Sequence, residues 1–423
     1  MKTVVILLSL ILLSGAIGIN TNSLTPAFNG IAFNPNYGLV YFGSCGGVTD
    51  VTLEYRRAIY EFTTVLYRRI AVLTQGHFVF SPLSIWMSLA ALAEGTDGIA
   101  RDELFQLLGL PQDKCIRQQY YALASRRELA GNDVTFSRTR LFVFDEKVVL
   151  NKDWENFVCS HWLIGIIRGS LRRDPMRALQ NLRNIFSAHI PYLDMSGNSV
   201  IMDALDYEAL WTNAFKNARL ERVPFYNEAG NVVGTVELMR MKKRVKLAYL
   251  PNLKLKVLEL PVGHNGRYRL MFGLPTGNIS LAGTIKILKS NIVFETLGNL
   301  RLSKIPLDVA IPRLSMSSEF DMKSILEDAN VRAVWKDPLG TRNISDPAAL
   351  PSGFVHRVTI TLDKSGLHPY EEEISSRNQY DTGLHAEIGK DFIADRMFFF
   401  AAFDAETFSS LFCGIFTRPD QAV

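Results

Sequence analysis

The sequence predicts an α+β fold carried by one large core. Three observations point there. Helical spacing dominates the first part of the chain, alternating apolar and polar residues dominate from Val200 onward, and no repeat or linker cuts the two apart. The chain has 423 residues, 48% hydrophobic and 21% charged, which is enough apolar material for a core without a disulfide framework.

Residues 1–18, MKTVVILLSLILLSGAIG, have one Lys, an apolar run from Val4 to Leu13 and then small residues. That is the pattern of a secretory signal peptide, and the run is short for a membrane span. The expectation is a secreted, extracellular protein with no membrane anchor. Residues 19–52 lack periodicity and read as a flexible leader, leaving 53–423 as a single domain.

From Thr52, apolar residues Tyr55, Ile59, Phe62, Leu66 and Ile70 recur at helical spacing. FVF then reads as a short strand. Ser81-Pro82 opens a second helix, apolar nearly all round and therefore buried. Asp133–Val149 suggests strands, and Pro175–Tyr192 an amphipathic helix. SVIMDALDY, NVVGTVELM, RVKLAYL, LKVLELPV and YRLMFGLP read as strands, interrupted by the helix EFDMKSILEDA.

Near the C-terminus a strand, HRVTITLDKSG, leads into a charged stretch without period, and an aromatic strand follows. A long polar loop between two core-quality strands is uncommon, and such loops are usually functional.

Catalytic patterns are absent: there is no HExxH, GxGxxG, GxxxxGK[ST] or GxSxG, and the seven histidines are scattered. No enzyme activity, metal site or cofactor is expected. The run Glu371-Glu372-Glu373 reads as a solvated acidic stretch. Net charge is +4, and the basic residues are mostly dispersed apart from Lys242, Lys243, Arg244 and Lys246. No nucleic-acid partner is expected. Cys45, Cys115, Cys159 and Cys413 allow three pairings, among which the sequence does not choose. Asn278 and Asn343 begin glycosylation sequons.

Several long segments, in order, resemble the serpin family across about residues 53–420. They are FVFSPLSIWMSLAALAEGTDGIARDELFQLLGLP, MDALDYEALWTNAF with Trp211 and Phe215, LKVLELPVGHNGRYRLMFGLP, and FIADRMFFFAAFDAETFSSLFCGIFTRPD. Met397 stands where that last signature usually has Pro. The resemblance implies a serpin fold: three β-sheets surrounded by about nine helices, with an exposed reactive-centre loop near the C-terminus, in a protein expected to be a monomer. It also implies that Ser81, Ser84, Asp203 and His356 form the polar shutter beneath the main sheet, with Asp203 in place of the family's Asn. A buried Asp203 needs either a cationic His356 or extra donors to stay charged.

Protease trapping in this family requires the loop, once cleaved, to enter the main sheet as a central strand. Gly366 matches the family's hinge glycine. Leu367 then replaces Thr, and His368-Pro369-Tyr370-Glu371 replaces a run of small residues. Alternation places Leu367, Pro369, Glu371 and Glu373 on one face. Pro369 has no N–H for the ladder, which by analogy with helix interiors costs on the order of 3 kcal/mol. With two buried carboxylates the penalty reaches on the order of 10 kcal/mol. The scissile bond falls near Arg377, Tyr380 or Ala386. The leading expectation is a binding, carrier or substrate-like protein. The alternative is an inhibitor of serine proteases that uses 366–397 as bait. Either way the expected partner is a serine protease, as target or as cleaving enzyme.

Overall fold

A computed structural model of the chain describes residues 50–125, 134–185, 194, 196–211, 215, 219–263, 267–276, 280–364, 366–368 and 391–419. The expected signal peptide, residues 19–49 of the expected leader, Cys45, Asn278 and the stretch 369–390 lie outside these residues; Thr52, the last residue of that leader, already begins a helix.

Helix α1 spans Thr52–Leu73, and Tyr55, Ile59, Phe62, Leu66 and Ile70 are all buried in it as their spacing predicts. Strand β1, Phe78–Phe80, is fully buried. It feeds helix α2, Pro82–Ala93, in which every residue is buried. The Ser81 side chain caps α2 by accepting the Ser84 N–H, and Pro82 sits at the helix start, where its missing N–H costs nothing. Helix α3, Gly98–Leu108, ends on Gly109 in the left-handed region at φ 62°, where a Cβ would also meet that of Ala58 at 2.8 Å. Helix α4, Lys114–Ala124, starts on an Asp113 cap.

Next come β2, Val134–Asp145, the short β3, Val149–Leu150, helix α5, Lys152–Ser160, strand β4, Gly165–Gly169, and helix α6, Pro175–Ile185. The following strands are β5, Ser199–Leu210; β6, Arg219–Tyr226; β7, Val232–Lys243; β8, Lys246–Leu250; β9, Leu255–Val262; and β10, Tyr268–Pro275. Helices α7, Leu281–Ile287, and α8, Ser290–Asn299, precede β11, Arg301–Leu302, β12, Leu307–Pro312, and β13, Leu314–Asp321.

Helix α9 is Met322–Asp328, so the expected helix from Glu319 starts three residues late. Glu319 to Asp321 instead continue the ladder of β13, and the Asp321 side chain caps the helix. Cross-strand pairing outweighs the local helical pattern there. The last strands are β14, Ser345–Asp346; β15, Pro351–Leu362; β16, Gly366–His368; β17, Phe392–Ile393; β18, Phe398–Asp404; and β19, Ser410–Phe416.

Three large sheets result. Seven strands run in the order β1-β19-β18-β10-β9-β8-β11, four in the order β17-β12-β7-β6, and six in the order β13-β15-β16-β5-β2-β4. Strands β14 and β3 form a small pair. The main apolar core joins α1 and α2 to the inner rows of the six- and seven-stranded sheets. Where β1 pairs with β19 the Phe78 carbonyl comes so close that a Cβ on Gly414 would overlap it. A second cluster, including Val143, Leu182, Met202 and Val355, fills the space between α6 and the opposite face of the six-stranded sheet.

Candidate functional site

The site lies along the seam between β15 and β5, in the middle of the six-stranded sheet. In its lower part the two strands pair directly and in parallel, from Pro351 opposite Ser199 to Thr359 opposite Asp206. In its upper part β16 lies between them. Gly366 pairs with Leu210 and Leu367 with Ala209 on one side; His368 pairs with Thr361 and Leu367 with Leu362 on the other. The first three residues of the predicted hinge are therefore already a strand of the sheet. Pro369, Glu371, Glu373, Arg377, Tyr380 and Ala386 lie outside the described residues.

The lower seam brings together all four residues expected in the shutter. His356 and Asp203 sit opposite each other, 0% and 1% exposed. His356 Nδ1 is 2.5 Å from Asp203 Oδ2, and Ser84 Oγ donates to Asp203 Oδ1 at 2.5 Å. The Ser81 N–H donates to His356 Nε2 at 2.9 Å, and Ser81 Oγ donates to the Leu411 carbonyl at 2.5 Å.

The direction of these bonds sets the protonation pattern. Nε2 receives an N–H, so it carries a lone pair; the proton is on Nδ1 and points at Asp203. The imidazole is neutral. Of the two ways to keep Asp203 charged, the structure uses added donors, Ser84 and the Nδ1–H, rather than a cationic His356. Ser84 bonds the aspartate and not the histidine, and both are fully buried. The trio therefore lacks the nucleophile-to-base contact and the access that acyl transfer needs.

The sequence did not point to the bond that anchors the loop's root. Trp211 Nε1 donates to the Asp363 carbonyl at 2.9 Å, three residues before Gly366. Trp211 itself bridges to Val262, and Gly263 N–H donates to the Leu210 carbonyl. A lone Trp at the end of an alternating strand was the available signal, because a buried indole N–H needs an acceptor. On the far side of the loop, β17 pairs in parallel with β12, and Ala394 N–H donates to the Ala310 carbonyl. Phe392 and Ala394 are both 0% exposed, so the chain re-enters the core before the end of the expected bait segment at Met397.

Cys115 is disulfide-bonded, while Cys159 and Cys413 are free thiols; the fourth cysteine of the chain is Cys45. Burial pushes the Cys159 thiol up to about 11, so it is no activated nucleophile. Asn343 is exposed. Among the described residues no helix is long and apolar enough to cross a membrane.

Comparison with known proteins gives this architecture its family. The sequence matches the family described as Serpin (serine protease inhibitor) over residues 57–175 and 176–419. The chain belongs to the serpin family. Corticosteroid-binding globulin of Sus scrofa is 24% identical over 374 residues, covering 84% of this chain and 88% of that protein. Serpin B11 of Mus musculus is 24% identical over 231 residues, 54% of this chain, and the match spans 57% of that serpin's length. Human thyroxine-binding globulin in complex with its ligand superposes with a TM-score of 0.74 at 16% identity, over 88% of this chain and all of that one (100%). Serpins thus include both inhibitors and proteins named for binding. In this serpin the three sheets and helices match the expected fold.

Proposed function

We propose that this serpin is a binding or substrate-like protein whose loop does not trap proteases. The observation that carries the reading is the register of β16. Continuing that ladder past His368 would bring Pro369 opposite Tyr207 and Ile360, Glu371 opposite Leu205 and Val358, and Glu373 opposite Asp203 and His356. All six facing residues are at most 2% exposed.

Pro369 would leave one N–H missing from a central strand. Glu371 would meet only apolar neighbours, and Glu373 would bring a second carboxylate beside Asp203 while separating it from His356. Each step opposes insertion. A cleaved loop that does not insert releases the protease, which makes the protein a substrate.

A groove of about 740 Å³ between the end of α1 and α7 is a place for the binding half of this reading. Its lining combines Arg68 and Lys286 with Val72, Ile285 and Met397. Relatives named for thyroxine and corticosteroid binding make these two compounds the first probes.

One observation favours the alternative, a serine protease inhibitor with 366–397 as bait: the sheet already admits Gly366–His368. Incubation with a panel of serine proteases, resolved on denaturing gels, separates the two. Clean loop cleavage without an SDS-stable complex is the expected result. A covalent complex at useful stoichiometry would overturn the non-trapping reading.

A further inference from the structure

The cationic cluster of the sequence spans the end of β7, the following turn and the start of β8, and its placement there makes a socket. Lys243, Arg244 and Lys246 join Arg269 around a cavity of about 220 Å³. Among the described residues of the lining one carboxylate, Glu259, faces them. Its side chain is 8% exposed, 3.0 Å from Lys246 Nζ and 3.7 Å from Arg269 Nε. Arg244 is fixed in place by donating its Nε–H to the Ser303 carbonyl at 2.8 Å. Among the described lining residues, four cations against one carboxylate give a positive excess in a recess, where low-dielectric walls concentrate the field and draw in anions.

The rest of the lining is apolar. Trp211 forms one wall and is itself 5% exposed. The volume lies below the roughly 300–1,000 Å³ typical of sites for drug-sized ligands, so a hormone-sized body does not fit but a one- or two-ring body does. The same indole that lines the socket donates to the Asp363 carbonyl at the root of the loop, and its neighbour Leu210 pairs with Gly366 of the hinge. A group seated on Trp211 therefore touches the element that holds the loop's base.

We propose that this socket binds a small aromatic anion, a sulfonate, sulfate or carboxylate on a compact apolar body, and that Trp211 passes its occupancy to the hinge. The anionic group sits among Lys243, Arg244, Lys246 and Arg269, and the rings lie against Trp211. This site is separate from the groove beside α1, and the inference is independent of whether the loop traps a protease.

The test titrates the full chain calorimetrically with naphthalene-2-sulfonate, its uncharged sulfonamide, inorganic sulfate and a sulfated polysaccharide. Saturable one-to-one binding of the sulfonate is expected, tighter than the sulfonamide by about tenfold or more and weakened by salt. Two variants should each weaken it by about tenfold: Lys243→Gln with Arg244→Gln, which removes charge, and Leu302→Trp, which fills the recess from the exposed edge strand β11. Thermal unfolding of both variants checks that they fold. Trypsin cleavage of the loop, followed with and without the sulfonate, should change in rate by about threefold or more if Trp211 couples the sites.

Equal binding of the sulfonamide, or unchanged binding by a folded variant of both kinds, overturns the site. Binding of the polysaccharide but not of the sulfonate overturns it in favour of a surface that reads chain polyanions. An unchanged cleavage rate overturns the coupling.

Discussion

The two ends of one seam differ in what holds them. Below, β15 and β5 bond directly to each other, and a buried, fully directed set of hydrogen bonds ties Ser81, Ser84, Asp203 and His356 across them. Above, the same two strands are parted by Gly366–His368, and the loop's root is fixed by the Trp211 indole. The upper end shows that the sheet tolerates a third strand where it meets backbone and Leu367. The lower end shows what a longer insertion would have to break. On the proposed reading, the barrier to trapping has two sources: the residues that would enter, and the latch that would open.

The largest expected effect separates these sources. Replacing Pro369, Glu371 and Glu373 together by Ala removes a penalty on the order of 10 kcal/mol from the inserted state. After nicking of the loop, this variant should melt roughly 10–20 °C above its uncut form, while the nicked wild type should hardly move. Calorimetry of the four samples decides it. A large rise for the nicked wild type would show that the shutter and the glutamates are no obstacle, and the comparison would collapse.

The latch itself is tested next. His356→Ala leaves the buried Asp203 carboxylate with Ser84 as its remaining donor and removes the acceptor for the Ser81 N–H. The expected cost is about 3–5 kcal/mol in denaturant unfolding. Because the latch spans only the lower seam, the Trp211 indole should still report an anchored loop root by its fluorescence. A loss below about 1 kcal/mol would mean that the direct ladder, and not the side-chain network, holds the lower seam.

Asp203→Asn should do far less. An amide oxygen still accepts the Nδ1–H, and the Ser84 hydroxyl can rotate to accept from Nδ2. The variant should stay within about 1.5 kcal/mol of the wild type. A loss of about 3 kcal/mol or more would mean that His356 is an imidazolium in need of a counter-charge, contrary to the direction of the Ser81 bond.

Much of this was legible in the sequence where the signal is local and periodic. The spacing from Tyr55 to Ile70 gave α1 its core face, Ser81-Pro82 marked the start of α2, and LKVLELPV and YRLMFGLP became β9 and β10 without shift. The quartet Ser81, Ser84, Asp203 and His356 was singled out through family resemblance, and the four residues lie together in one buried hydrogen-bonded cluster. What the sequence lacked was tertiary. Helix α9 begins late because β15 claims Glu319–Asp321 for its ladder. The neutral tautomer of His356 depends on a backbone N–H 275 positions away. The entry of Gly366–His368 depends on neighbours at 209–210 and 361–362. Cysteine pairing is equally non-local: Cys159 and Cys413 are free thiols and Cys115 is bonded, which spacing along the chain does not encode.

The smallest effect sharpens the comparison by removing a confounder. Any acid study of the seam must be separated from titrating groups elsewhere in the fold, and His161 is one. Burial holds its imidazole below the ordinary value of 6.5, against smaller opposing effects of the Phe157 carbonyl and Glu94; Lys114 pushes the same way as burial. The unfolded chain therefore binds a proton at His161 more readily than the folded one. Its contribution to stability is fully present above pH 6.5 and is lost as pH falls from there toward the lowered folded value. His161→Gln should flatten that part of the stability curve without changing loop cleavage, since α5 meets β4, an edge strand that β2 and β5 separate from β16. If the variant leaves the slope below pH 6.5 unchanged, the acid sensitivity there does not come from His161.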